Sequence, residues 1–222
     1  MSLKKSAIII IIILLIDQIS KTYIKTHFQL GDDVVVSSWF RILFIENDGM
    51  AWGTKLSDII SFIDDKSAKL ILTLFRIIAV SGIGYWLFNV IKKQKTKTLI
   101  FAISLIFAGA LGNIIDSVFY GILFGDSYAQ VATFLPESGG YAEIFHGKVV
   151  DMLHFPIYNG ILPDWLPFFG GTYFSFFDPV FNVADVAIST GIGILILFNK
   201  RAFNEPTKKI EIPYLESSNN PT

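Results

Sequence analysis

Four long apolar runs dominate the pattern of hydrophobic and polar positions along the chain. They cover residues 6–23, 68–91, 98–120 and 181–198. A helix needs about 20 mainly apolar residues to cross the hydrocarbon core of a bilayer. Each run is close to that length, so each predicts a transmembrane helix. We therefore expect a membrane-embedded, all-α bundle of four transmembrane helices.

The first run also looks like a secretory signal peptide, because Lys4 and Lys5 precede the apolar stretch AIIIIIILLI. A signal peptide would be followed by a cleavage site made of small residues. The sequence instead continues as DQISKTYIK, which extends the helical pattern. We interpret this run as a retained transmembrane helix.

The basic residues lie mainly at alternate ends of the predicted helices. Short segments on one side of the membrane carry Lys4, Lys5, Lys92, Lys93, Lys95, Lys97, Lys200, Arg201, Lys208 and Lys209. Cytoplasmic segments of membrane proteins carry such an excess of Lys and Arg. Both termini are therefore predicted to be cytoplasmic, and residues 25–67 and 121–180 extracytoplasmic. Residues 1–203 form one membrane-embedded domain, and the polar tail 204–222 is predicted to be disordered and cytoplasmic.

The two outer segments have patterns of their own. β-Branched and aromatic residues at Val34–Ile45 predict strands. Residues 56–70, LSDIISFIDDKSAKL, have helical spacing and predict an amphipathic helix that lies flat on the membrane. Residues 162–177 are rich in aromatic side chains, for which two interpretations remain open. They form an anchoring belt at the membrane–water boundary, or they contact a lipid-bearing substrate.

Composition agrees with a membrane protein and excludes several kinds of chemistry. The chain is 52% hydrophobic, and its mean hydropathy is +0.55, which is too apolar for an ordinary soluble domain. The absence of Cys excludes disulfides, thiolate metal sites and Cys nucleophiles. The His residues are scattered and predict no metal site. We expect no cofactor and no nucleic-acid partner, since no phosphate-binding loop or separate basic patch is present.

Charged residues inside the predicted helices are candidates for a functional site, because a charge in lipid is costly. Asp17 and Lys21 share one helix face and predict a structural ion pair. The stretch GALGNIID places two glycines, which favour close helix approach, near Asn113 and Asp116. Arg76 lies at a depth similar to that of Asp17. We predict that Arg76 pairs with Asp17 or extends toward Asp116; the alternative is an Arg that reaches water without a role.

Two further Asp residues are predicted to lie at the same depth, at the outer interface. Asp151 occurs in the apolar run KVVDMLHF, and Asp185 lies near the outer end of the fourth helix, in FNVADVAIS. Two carboxylates around one water molecule can hydrolyse an amide, because one accepts a proton from water and the other activates the carbonyl. A proton or ion pathway uses the same residue types, so both interpretations stay open on spacing alone.

Five motifs occur in the order DQISK, NDGMAWG, GALGNIID, KVVD and FNVAD. Together they resemble lipoprotein signal peptidase, also called signal peptidase II, from residue 17 to about residue 189. The resemblance implies four transmembrane helices and a small extracytoplasmic β-sheet that cradles the substrate at the bilayer surface. It also implies a monomeric aspartyl endopeptidase of the bacterial inner membrane that contacts membrane lipid and needs no metal. Such an enzyme cleaves prolipoproteins just before a diacylglyceryl-modified Cys and is inhibited by globomycin.

The resemblance assigns roles to individual positions of this chain. Asp151 and Asp185 match the catalytic pair. The supporting and substrate-binding positions are Asp17, Lys21, Asn47, Gly49, Ala51, Asn113, Asp116, Asn182 and Ala184. Arg76 is a speculative addition from the helix pattern.

Two features depart from the family. Ser117 follows Asp116 where the family usually has an Arg that contacts substrate and inhibitor, and Arg76 is our hypothesis for a partial replacement. The segment 121–150 is also longer than expected, and it is either a surface insertion or a lid over the site. An insertion is the simpler interpretation because long loops are tolerated thermodynamically.

The leading hypothesis is therefore an intramembrane aspartyl endopeptidase. A small proton-coupled carrier or channel that uses intramembrane Asp residues is the alternative, and a non-catalytic membrane scaffold is a third class. A carrier should be most sensitive at Asp17 or Asp116, whereas a peptidase should depend on Asp151 and Asp185.

Overall fold

The computed structural model describes residues 1–48, 63–176 and 178–204. Gly49, Ala51, residues 56–62 of the expected amphipathic helix and the tail from residue 205 lie outside these residues, and residues 65–70 of that expected helix belong to the helix Asp65–Lys92. The helices are α1 (Leu3–His27), α2 (Asp65–Lys92), α3 (Lys97–Ile115), α4 (Val183–Leu197) and the short α5 (Asn199–Phe203). After Ile115, α3 continues through a π-helical turn at Asp116–Tyr120 and a final α-helical turn at Gly121–Leu123.

Three helices of the described residues are long and apolar enough to cross a membrane: Leu3–His27, Asp65–Lys92 and Lys97–Leu123. The predicted fourth run, 181–198, forms the shorter apolar helix α4 of 15 residues, so a count of four spanning helices is not confirmed. Asn182 explains the later start of α4. Its side chain accepts a hydrogen bond from the Asp185 N–H and caps the helix, whereas the preceding two residues belong to a strand.

Helix α3 is the central helix and packs against α1, α2 and α4. Its side chains Ile100, Ile103 and Ala108 are fully buried. At Gly109, a Cβ atom would lie 2.2 Å from the carbonyl oxygen of Ala184, so only glycine allows α3 and α4 to approach this closely. The predicted packing role of the glycines is therefore confirmed at this crossing. The outward faces of α1 and α2 remain apolar and exposed, as expected for lipid-facing helices.

The predicted strands in Val34–Ile45 are confirmed and belong to a four-stranded antiparallel sheet with the order β1-β2-β3-β6. Its strands are β1 (Asp33–Ser37), β2 (Phe40–Asn47), β3 (Val149–His154) and β6 (Val180–Phe181). Strands β4 (Tyr158–Ile161) and β5 (Tyr173–Phe176) form a separate hairpin between β3 and β6.

One face of the four-stranded sheet is buried against α1 and the end of α3. Phe44, Val150 and Met152 point to this face and pack with Ile24 and Tyr120 in one hydrophobic cluster. Neighbouring strand residues point in opposite directions, so the intervening residues of β2 and β3 form the other face. The register pairs Ile45 with Asp151, which places Asp151 on the face away from this core.

The long segment after α3 packs closely against the rest of the molecule. Its backbone bonds to the end of α3, with the Gly147 N–H donating to the Ser117 carbonyl and the Phe145 N–H to the Val118 carbonyl. Ser127 is fully buried, and its carbonyl accepts a hydrogen bond from the Leu30 N–H. These contacts favour the insertion interpretation over a lid, because the segment contributes to the core beneath the sheet.

Candidate active site

Asp151 lies within β3, where two amide side chains hold its carboxylate. Asn182 Nδ2 donates to Oδ1 at 2.7 Å, and Asn47 Nδ2 donates to Oδ2 at 3.2 Å. Only 4% of Asp151 is exposed. Since Asn47 ends the neighbouring strand β2, the strand register fixes the position of Asp151 relative to the helices.

Asp185 lies in the first turn of α4, where a capping box fixes its side chain. Asn182 Oδ1 accepts a hydrogen bond from the Asp185 N–H at 2.9 Å, and the Asp185 carboxylate accepts one from the Asn182 N–H at 3.2 Å. Asn113 Nδ2 donates to the other oxygen of Asp185 at 2.9 Å. Because Asn182 also donates to Asp151, one residue holds both carboxylates. The two Asp residues predicted from the sequence are thus brought together.

A buried polar network on α1 and α3 supports this pair. The Lys21 ammonium lies 2.9 Å from the Asp17 carboxylate and 2.8 Å from that of Asp116, and it donates to Asn113 Oδ1 at 2.8 Å. Asp17 Oδ1 also accepts the Ala184 N–H at 2.8 Å. The predicted ion pair of Asp17 with Lys21 is confirmed, and it extends to Asp116. The network connects α1, α3 and the start of α4 beneath the two candidate catalytic groups.

Gln18 is a member of this network that the sequence analysis did not assign. Its Nε2 donates to Asp116 Oδ1 at 2.9 Å and to Asp17 Oδ2 at 3.1 Å, while its Oε1 accepts from the Tyr120 hydroxyl at 3.2 Å. An amide with both donors and an acceptor can connect two carboxylates to a hydroxyl. The available signal was an amide beside Asp17 within an otherwise apolar helix.

The electrostatic environment distinguishes the two candidate catalytic groups. Burial of Asp151, with the nearby negative charge of Asp185, raises the pKa of the Asp151 carboxyl from 3.8 to about 7. The hydrogen bonds from Asn47 and Asn182 and the positive charge of Lys21 act in the opposite direction but do not cancel that rise in pKa. Asp185 is less buried than Asp151 and lies at a helix N-terminus, where the backbone dipoles favour a negative charge.

Arg76 has a different electrostatic neighbour from the acids that the sequence analysis named. The carboxylates of Asp17 and Asp116 are both engaged by Lys21, and the acid that acts electrostatically on Arg76 is Asp185. These contacts do not support the predicted pairing of Arg76 with Asp17 or its extension toward Asp116, and a role for Arg76 stays a prediction. Ser117 is fully buried and donates to the Asn113 carbonyl at 3.0 Å, so its side chain is directed at its own helix.

The remaining predicted positions have different outcomes. Asn47, Asn113, Asn182 and Ala184 all contact the site, whereas Gly49 and Ala51 lie outside the described residues. Among residues 1–48, 63–176 and 178–204, no group of three His, Asp or Glu side chains is arranged to hold a metal ion.

Apolar helices beside two adjacent carboxylates, one buried and one partly buried, are the features of a membrane enzyme. A family model described as signal peptidase (SPase) II matches residues 9–200. The chain is 45% identical to a lipoprotein signal peptidase of Porphyromonas gingivalis, over 87% of this chain and 82% of that protein. It is 36% identical to a lipoprotein signal peptidase of Amoebophilus asiaticus, over 91% of this chain and 80% of that protein.

The fold is also similar to that of a solved structure, a bacterial membrane enzyme determined by the in meso method at 2.3 Å resolution. The TM-score is 0.56 and the sequences are 26% identical, with 94% of this chain and 96% of the other covered. With the family model covering most of the chain, these findings identify it. The chain belongs to the signal peptidase II family.

Proposed function

We propose that this protein is an intramembrane aspartyl endopeptidase that removes the signal peptide of bacterial prolipoproteins just before a diacylglyceryl-modified Cys. The observation that supports this most strongly is the bridge made by Asn182. Its side-chain amide donates to Asp151, and its backbone N–H and side-chain oxygen engage Asp185. Two carboxyl groups held by one residue are suited to act on a single water molecule.

In the proposed reaction, ionised Asp185 is the general base and protonated Asp151 is the general acid. Asp185 takes a proton from water while the water oxygen attacks the scissile carbonyl carbon, and Asp151 gives its proton to the carbonyl oxygen. Asp185 then gives the captured proton to the leaving amine as the carbon–nitrogen bond breaks. Asp151 takes back the hydroxyl proton as the carboxyl product forms, and this returns both groups to their starting states.

The surroundings of each group support this assignment. Asp185 accepts hydrogen bonds from the Asn113 side chain and from the Asn182 N–H, lies at a helix N-terminus, and is within the electrostatic influence of Arg76. These contacts place hydrogen-bond donors and a positive charge around the group proposed to accept the proton from water. Asp151 is almost fully buried on a strand, and its raised pKa favours the protonated form near neutral pH.

The proposed location follows from the charge pattern of the helices. With the Lys-rich ends in the cytoplasm, the site lies at the extracytoplasmic face of the inner membrane, and the lipid-bearing substrate reaches it from the bilayer. The monomeric state and inhibition by globomycin remain predictions. The carrier alternative loses support, because Lys21 already engages both Asp17 and Asp116, the residues such a carrier would need to titrate.

The test is to incubate purified protein in detergent with one prolipoprotein in two forms, with and without the diacylglyceryl group on its Cys. Mass spectrometry identifies the products. The proposal predicts a single cut just before the Cys in the lipidated form, little or no cut in the other form, and inhibition by globomycin. No cut on several lipidated substrates, or equal cutting of both forms, would contradict it.

A further inference from the structure

Lys25 and Glu46 form a second buried ion pair, outside the polar network around Lys21. Lys25 lies near the end of α1 and is fully buried, and Glu46 lies on β2 with its side chain only 3% exposed. The Lys25 ammonium contacts Glu46 Oε1, and it donates to the buried hydroxyl of Ser127 at 2.9 Å. That hydroxyl in turn donates to Glu46 Oε1 at 2.9 Å.

Further groups complete the surroundings of this pair. The Lys25 ammonium lies 4.6 Å from the centre of the Tyr141 ring, which attracts a cation through its π-electrons. Lys148 approaches Glu46 Oε2 at 3.4 Å from the partly exposed side of the cluster. The carboxylate of Glu46 is thus held by α1, by the long segment after α3 and by the residue preceding β3.

The strand register places this cluster directly behind Asp151. Glu46 is paired with Val150, on the core face of the sheet, whereas Asn47 and Asp151 are on the opposite face. Glu46 is also the residue next to Asn47, whose amide holds the Asp151 carboxylate. Any shift of Glu46 along or away from α1 therefore moves the amide that positions Asp151.

Helix α1 carries three buried charged residues at successive four-residue intervals, which places them on one face. Asp17 accepts the Ala184 N–H at the start of α4, Lys21 reaches Asn113 on α3, and Lys25 reaches Glu46 on β2. The same face of α1 thus contacts α4, which bears Asp185, and β2, whose residue Asn47 donates a hydrogen bond to Asp151.

We propose that Lys25 and Glu46 are positioning residues for the peptidase reaction, because their buried pair sets the place of β2, and with it Asn47 and Asp151, relative to Asp185. This inference rests on the proposed function. A buried ion pair is weak evidence for stability, because an apolar pair of similar size is often as stable. The effect of the Lys25–Glu46 pair on catalysis is therefore to be measured separately from its effect on stability.

The test compares Lys25→Met with the double variant Lys25→Met/Glu46→Leu, which replaces the ion pair by apolar side chains. The single substitution removes the Lys25 charge and leaves the buried Glu46 carboxylate with the longer contact to Lys148 as its counter-charge. It should therefore lower both the unfolding temperature and kcat. The double variant should regain the unfolding temperature but not kcat. We expect kcat to fall roughly 10- to 100-fold, the effect of a misplaced catalytic group, with KM within about twofold of the wild-type value.

The pH dependence of kcat is the readout that a purely structural role would not change. Asp185 on α4 and Lys21 on α1 are the charged groups that act on Asp151. If β2 moves, Asp151 becomes more hydrated and also loses the Asn47 hydrogen bond. Burial has the larger influence on the pKa of Asp151, so the midpoint of the alkaline decrease in kcat moves to lower pH. A smaller folded fraction would reduce the amplitude and leave this midpoint unchanged. If the double variant folds poorly, Glu46→Gln is measured in its place. It keeps the side-chain shape and should move the midpoint in the same direction.

The matched control is Arg41→Met, which removes a partly exposed ion pair with Asp33 from the same sheet. It should leave kcat and its midpoint unchanged. The inference would be overturned if the double variant regained kcat together with the unfolding temperature. It would also be overturned if the midpoint were unchanged in every Lys25 and Glu46 variant. Wild-type protein is measured alongside, since its failure to cleave would instead contradict the proposed function.

Discussion

Asp151→Asn should abolish cleavage and at the same time stabilise the protein above neutral pH. In the folded protein the pKa of Asp151 is raised from 3.8 to about 7, chiefly by burial. Ionising this carboxyl is then about 4 kcal/mol more costly in the folded protein than in the unfolded chain, because each tenfold change in proton affinity is about 1.4 kcal/mol. Asn has nearly the same shape and carries no charge, so it removes this cost.

The sign of the pH dependence follows from linkage. Because the folded protein binds the Asp151 proton more tightly than the unfolded chain, this group destabilises the fold progressively from about pH 4 to about pH 7, and the loss is constant above that. Of the total destabilisation of about 4 kcal/mol, about 3 kcal/mol should develop between pH 5 and pH 8. For a chain of this size, that difference is roughly 6–12 °C in unfolding temperature.

The assay is thermal unfolding of wild type and Asp151→Asn in the same detergent at pH 5 and pH 8. The variant should gain stability relative to wild type at pH 8, and the gain should be much smaller at pH 5. Asp185→Asn removes the neighbouring negative charge. In that variant, the pH range over which Asp151 destabilises the fold should shift to lower pH. Equal differences between wild type and Asp151→Asn at both pH values would refute the raised pKa and the assignment of Asp151 as the acid.

Three further predictions concern the supporting residues. Gly109→Ala should lower both the unfolding temperature and the cleavage rate, because the added Cβ would lie 2.2 Å from the Ala184 carbonyl oxygen. The control Gly193→Ala adds a Cβ in open space and should have little effect on either. Lys21→Met should cost about 3–5 kcal/mol in unfolding free energy, since buried carboxylates lose their counter-charge. Asn182→Ala should reduce kcat at least about tenfold and shift its pH profile, because the Asp151 carboxylate loses a hydrogen-bond donor and the Asp185 N–H loses its side-chain cap. An unchanged profile would count against the bridging role.

Much of the fold could be predicted because it follows local rules. Long apolar runs gave three of the helices, and the β-branched residues before Asn47 gave β1 and β2. The pairing of Asp17 with Lys21 followed from their four-residue spacing on one helix. The start of α4 was placed too early, because the apolar pattern continues through Phe181 while the capping residue Asn182 determines where the helix begins.

The candidate site was harder to predict wherever it depends on contacts between distant elements. The sequence supplied Asp151 and Asp185, but it could not show that Asn182 holds both. The sequence pattern starts an outer segment at Lys25, and Lys is rarely fully buried. In the structure Lys25 is buried against Glu46, a partner that comes from a strand. Arg76 was assigned by depth along its helix, and depth alone does not determine which neighbouring helix it faces.

The most direct test of the account is whether cleavage requires both carboxyl groups of a folded protein. Single-turnover cleavage of the lipidated prolipoprotein is measured for wild type, Asp151→Asn, Asp185→Asn and the control Asp33→Asn, with the fold of each checked by its unfolding temperature. The account predicts that each of the first two substitutions lowers the rate at least about 100-fold, while the control cleaves like wild type. Near-wild-type cleavage by either Asp151→Asn or Asp185→Asn would contradict the proposed mechanism.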